Sequence, residues 1–192
     1  MISPFQGDDP GSNPGGCITT FGMAARICVH GADPDCIHSF LELPVYCSHM
    51  NHPDEALMRE VIEDGFTHNT VGCLIVRDGG IIARGYGTIF SEHDPTGHSE
   101  VNAIRAASKH LGTHDLKGCW LYTTFEPCPM CMAAICWAKM DGVVYAASSG
   151  DANERWTQEV AIGAEEVASR STHRPVVIGP FLREESLKIL DL

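Results

Sequence analysis

The chain has 192 residues, enough for one α/β domain with a substantial core and too few for two ordinary domains with linkers. Hydrophobic residues make up 44% and charged residues 20%, a balance that excludes a disordered chain, and no apolar run reaches the roughly 18 residues of a membrane span. Twenty-five Asp and Glu against 13 Lys and Arg leave a net charge of −12. Polyanion binding depends on Lys and Arg displacing counterions from phosphates, so this charge disfavours nucleic acid and suits a small-molecule substrate.

Gly, Pro, Ser and Asn crowd residues 3–16, and no helical or strand period is sustained up to about residue 50, so residues 1–50 read as a partly irregular extension. Its Cys17, Cys28, Cys36 and Cys47 form no C-x-x-C pair and read as incidental thiols, not a second metal site. The N-terminus has no basic segment leading into an apolar stretch, so a secretory signal is not expected. Nine cysteines in such a chain point to reduced thiols and metal ligation, with the cytoplasm as the expected location.

From residue 51 the pattern is regular. Asn51-His52-Pro53-Asp54-Glu55 supplies a polar cap, an early proline and first-turn acids, and Leu57, Met58, Val61 and Ile62 follow at helical spacing until Gly65. Strands are predicted over 71–77 and 81–86, joined by the tight turn Asp78-Gly79-Gly80. A helix over 98–111 places Val101, Ile104, Ala107 and Leu111 on one apolar face. A strand over 119–125 leads through Pro127 and Pro129 into an apolar helix over 131–140, whose lack of a polar face predicts burial. A strand over 143–147, a helix over 154–169, a strand over 175–179 and a helix over 183–190 complete the chain. Strands alternating with helices after an initial hairpin predict a mixed sheet covered by helices on both faces.

Two segments carry the chemistry, His98-Ser99-Glu100 and Pro127-Cys128-Pro129-Met130-Cys131, each where a loop feeds a helix. Two thiols three positions apart bind one ion from a first helical turn, where the helix dipole helps hold sulfur deprotonated. His98 adds a third ligand. Three protein ligands leave one tetrahedral position for water, as expected of catalytic zinc and not of structural zinc. Glu100, two residues after His98, points elsewhere than the imidazole and suits a general acid and base that moves protons between water, ring and leaving ammonia. The order H-x-E, 26 residues, then P-C-x-x-C is the signature of zinc deaminases acting on bases.

These residues resemble the cytidine deaminase superfamily over residues 52–192. His98 to Arg105 and Glu126 to Cys131, followed by Ala134-Ile135 and Trp137-Ala138, look most like bacterial guanine deaminases, and Asp94-Pro95-Thr96 is shared with tRNA adenosine deaminases. The resemblance implies a three-layer α-β-α sandwich with a five-stranded sheet. It also implies a homodimer whose partner helps shape the pocket, and a zinc-dependent release of ammonia from a guanine-type aminopurine or aminotriazine. The alternatives are tRNA adenosine deamination, nucleoside deamination and a zinc-stabilised binding module without turnover.

Two departures bear on substrate. Both related groups usually carry an asparagine eleven residues before the zinc histidine, where this chain has Gly87. The Pro-Phe-Gly-Ala of guanine deaminases becomes Thr70-Val71-Gly72-Cys73. Beyond the metal helix, counting from Cys128 places Glu159 and Trp156 where guanine deaminases send an acidic run into the pocket, so a carboxylate for the ring edge and an indole for stacking are expected there. Ser99, Gly87, Phe125 and Trp137 complete the residues expected around the substrate.

Overall fold

The structure, a computed structural model, describes residues 51–153 and 158–189. The extension over 1–50 with its four cysteines, Trp156, and the first turn of the helix expected over 154–169 lie outside the described residues.

The first helix, α1 (Glu55–His68), begins as the sequence predicts: Asp54 at its N-cap accepts from the Leu57 N–H at 3.0 Å, and it closes on Asn69 in the left-handed conformation. It feeds the hairpin β1 (Gly72–Arg77) and β2 (Gly80–Tyr86). Then follow α2 (Ser99–Leu111), β3 (Cys119–Phe125), α3 (Pro129–Trp137), β4 (Gly142–Ala147), α4 (Ala164–Arg170), β5 (Val176–Ile178) and α5 (Arg183–Leu187). The strands form one mixed five-stranded sheet in the order β2-β1-β3-β4-β5. β1 runs antiparallel to both neighbours, while β3, β4 and β5 are mutually parallel. Four strands therefore end at the same edge, and α2 and α3 both start there.

Alternation along the strands sorts the core into two layers. Ile75, Leu121 and Val143 pack against Ala103 and Ala107 of α2, Met132 and Ile135 of α3, and Ala164 and Ala168 of α4. Leu74, Val76, Tyr122 and Val144 face the other way, onto Met58, Val61 and Ile62 of α1 and onto Ile189. Each large apolar side chain buried this way contributes roughly 1.5–3 kcal/mol. Among the described residues no helix is long and apolar enough to cross a membrane.

Two expectations need correction. The buried face of α2 is Ser99, Glu100, Ala103 and Ala107, while Val101, Ile104 and Leu111 are only half-buried. The reason lies in β2: a Cβ at Gly85 would stand 2.1 Å from Ser99 O and 2.5 Å from Ala103 N, so the α2 backbone rests directly on that glycine and only small residues fit beneath it. The helix expected over 154–169 is confined, among described residues, to α4, with Gly163 at its N-cap.

Candidate active site

His98 is the N-cap of α2 and Cys128 the N-cap of α3, with Pro129 at the first helical position and Cys131 one turn in. An N-cap side chain ordinarily accepts a hydrogen bond from its own helix's amides. Neither His98 nor Cys128 does so, and the two face each other instead, with His98 Nδ1 3.7 Å from Cys128 Sγ. One donor atom from each of His98, Cys128 and Cys131 lies within 4.8 Å of the others. Glu100 is buried at 5% exposure, and its Oε2 accepts from Cys131 Sγ at 3.4 Å. Gly85 makes this possible, because α2 reaches the sheet closely enough to bury the carboxylate of its first turn.

Charge in the site is unbalanced. Burial pushes the Glu100 carboxyl up, and the neighbouring Cys128 adds to the shift. The Cys128 thiol is lowered to about 4 by a hydrogen bond from Cys131, with further help from His98. The same hydrogen bond, then burial and Glu100, drives the Cys131 thiol up. Two thiolates here would stand beside a buried carboxylate, with His98 alone next to them for compensation. No Lys or Arg pairs with Glu100 among the described residues. A divalent cation resolves this excess. Two soft thiolates and an imidazole on two helix starts fit zinc, which takes four tetrahedral ligands at about 2.0–2.3 Å and here would keep one position for water.

The other expected residues divide. Ser99 is buried between His98 and Glu100, and its hydroxyl donates to Val71 O, tying the start of α2 to the residue just before β1. Gly87 is exposed just past the end of β2, with Ser99 Oγ 3.7 Å from where its Cβ would be. Phe125 is buried at the end of β3, packed with Ala147, Val71 and Leu187. Two others are exposed within this chain. Trp137 is 84% exposed at the far end of α3 from Cys128, so it lines neither the donor group nor the core. Glu159 is exposed in a bend.

Two residues that the sequence reading did not single out hold the site in shape. Asn102, one turn into α2, donates to Tyr86 O at 2.8 Å and Thr88 Oγ1 at 3.0 Å, fastening the loop between β2 and α2. Glu126 is buried and accepts from the Ser149 N–H at 2.8 Å and the Ala164 N–H at 2.9 Å, linking the loop before Cys128 to the chain after β4. Both belong to the motif segments, and only their partners, far away in sequence, reveal their roles.

Fold and donor group together define a zinc-deaminase architecture, and sequence comparison agrees. The cytidine and deoxycytidylate deaminase zinc-binding region matches residues 52–147, half of the chain, and the chain belongs to this family. It is 53% identical over 83 residues to the guanine deaminase of Bacillus subtilis (strain 168), a match covering 43% of this chain and 53% of that protein. The chain thus spans about half the length of that relative. The solved structure of a tRNA:A34 deaminase superposes with a TM-score of 0.59 at 30% identity, over 70% of this chain and 99% of the other. The guanine deaminase from Nitrosomonas europaea shares the fold, with a TM-score of 0.62 at 23% identity over 84% of this chain and 97% of its own.

Proposed function

We propose that the chain is a zinc-dependent hydrolytic deaminase that releases ammonia from the exocyclic amino group of a free nucleobase or related heterocycle, with a guanine-type aminopurine or an aminotriazine favoured. The observation that carries this reading is the burial of Glu100 beside, but outside, the group His98, Cys128 and Cys131. A structural zinc site has no use for a desolvated carboxylate at its edge.

In this reading His98, Cys128 and Cys131 hold the metal and Glu100 moves the protons. Zinc, when bound, supplies the Lewis acid that activates water at neutral pH. Glu100 takes a proton from the attacking water and passes it to the ring nitrogen. It then moves the second proton to the departing amino group, so that amidine and water become ring carbonyl and ammonia. The raised affinity of the buried carboxyl for a proton suits it to both directions of transfer. Phe125 and Val71 supply apolar surface at the same edge of the sheet. The test is zinc content and ammonia release for the wild type and Glu100→Gln: loss of turnover with zinc retained supports the enzyme, and absence of turnover in both supports a non-catalytic zinc module.

The similarity to a tRNA:A34 deaminase favours a second reading, deamination of adenosine in tRNA. The net charge of −12 weighs against it. Inosine formation in a tRNA anticodon stem-loop, without ammonia from any free heterocycle, would select it.

A homodimer fits the exposed face of α3, a helix without a charged residue whose Met130 and Trp137 stand two turns apart and open to solvent. Trp137→Glu then lowers the association constant in sedimentation without unfolding the chain. Residues 51–192 are read as the deaminase domain, and the free thiols Cys73, Cys119 and Cys136 suit a reducing cytoplasm.

A further inference from the structure

Glu126 stands two residues before Cys128, and each of its polar groups is committed. Its N–H donates to Ala147 O at 2.8 Å, at the end of β4, and its carbonyl accepts from Gln158 Nε2 at 3.0 Å. Oε2 of its carboxylate accepts from both the N–H and the hydroxyl of Ser149, at 2.8 and 2.9 Å, and Oε1 accepts from the Ala164 N–H at 2.9 Å. The side chain is buried and reaches the start of α4 because position 163 is glycine: a Cβ there would stand 3.3 Å from Oε1, tighter than ordinary packing. Between this anchor and Cys128 the chain has little freedom. Pro127 fixes its own φ and holds Glu126 extended, and Pro129 does the same for Cys128, whose φ of −61° and ψ of 165° lie in the extended region. Beyond it, Cys128 O accepts from the Met132 N–H at 2.9 Å in the first turn of α3. The thiol is thus carried on a stiff Glu-Pro-Cys-Pro link, with Glu126 at one end and α3 at the other.

We infer that Glu126 is a positioning residue for the metal: by gripping Ser149 and Ala164 it fixes where Cys128 Sγ stands relative to His98 and Cys131. The assignment rests on the zinc site of the reading above. A metal-binding constellation tolerates only about 0.5 Å of misplacement in its ligands, so an anchor next to the stiff link bears directly on affinity. The position calls for an acid. Two side-chain oxygens meet two backbone N–H groups, and glutamine would turn its own amide N–H against one of them.

The experiment measures zinc affinity by competition with a chromogenic chelator, and the visible spectrum of the cobalt(II)-loaded full chain, for wild type, Glu126→Gln and Gly163→Ala. Val144→Ala, which truncates a buried side chain on the opposite face of the sheet, is the control for lost stability alone. The expected result for Glu126→Gln is a zinc affinity roughly 10- to 100-fold weaker, as follows the loss of a group that supports a metal ligand, with altered cobalt ligand-field bands. Gly163→Ala, which displaces the carboxylate without removing it, moves both readouts in the same direction, and Val144→Ala moves neither. Wild-type affinity and cobalt spectrum in a folded Glu126→Gln overturn the assignment. If that variant does not fold, unchanged readouts in Gly163→Ala overturn it, and so does an equal loss of affinity in Val144→Ala. Failure of the wild type to bind zinc or cobalt removes the zinc site and this assignment together, whereas zinc binding without ammonia release removes the deaminase reading and leaves the affinities to decide this one.

Discussion

Glu100 Oε2 lies 3.4 Å from Cys131 Sγ, so a buried carboxylate touches the donor group without being part of it. Glu100→Gln keeps the volume and removes the proton shuttle. Its zinc content, measured by atomic emission, stays near one equivalent, while ammonia release falls by roughly 10²- to 10⁴-fold. Loss of zinc together with activity would instead make Glu100 a structural partner of the site.

Metal removal couples to folding, because an ion held by His98, Cys128 and Cys131 joins the starts of α2 and α3. Chelator treatment lowers the thermal midpoint of the wild type, and zinc restores it. Cys131→Ser starts from the lower midpoint and no longer responds to zinc. Calorimetry with and without chelator checks both.

Gly85 sets the height of α2 above the sheet. In Gly85→Ala the new methyl meets the backbone of Ser99 and Ala103, neither of which is a flexible side-chain end. Overpacking of this kind costs about 1–3 kcal/mol, and urea denaturation reads it. Because α2 carries both His98 and Glu100, zinc occupancy falls in the same variant.

Gly85 also explains what the sequence conceals. His98, Cys128 and Cys131 are legible because donor chemistry and spacing at a helix start are local properties, and the strand over 119–125 is legible from its composition. The buried face of α2 is not, since the apolar residues Val101, Ile104 and Leu111 obey helical spacing while a glycine on another element decides that Ala103 and Ala107 go inward. Trp137 fails for the same kind of reason. An apolar helix reads as buried, but only the packing of α3 against α2 and α4 shows which of its faces is left outside.

On the opposite face of the sheet, His52 stacks on Trp120 with ring centroids 4.0 Å apart, and its Nδ1 lies 2.7 Å from the hydroxyl of the buried Tyr122. That hydroxyl accepts from the Asp54 N–H at 2.9 Å and can donate to His52 Nδ1 in the tautomer that leaves this nitrogen bare. Burial lowers the His52 pKa from 6.5, against the raising influence of Asp54. The unfolded chain therefore binds this proton first as pH falls, and the contribution of His52 to stability is whole above pH 6.5 and is lost as pH drops through the lower folded value. Thermal midpoints between pH 8 and 5 (roughly the window of histidine titration) decline in the wild type. They decline less steeply in His52→Phe, which keeps an aromatic ring on Trp120 and loses the titration.

In the proposed reaction His98, Cys128 and Cys131 hold zinc so that Glu100 can move the protons of a heterocycle's deamination. Ammonia release by the zinc-loaded full chain, screened over guanine, 2-aminopurine, melamine, adenine, cytosine and their nucleosides, tests it most directly. The expected result is turnover of at least one guanine-type aminopurine or aminotriazine, dependent on zinc and lost in Glu100→Gln. Ammonia from none of these compounds at full zinc occupancy, or equal release by Glu100→Gln, would contradict it.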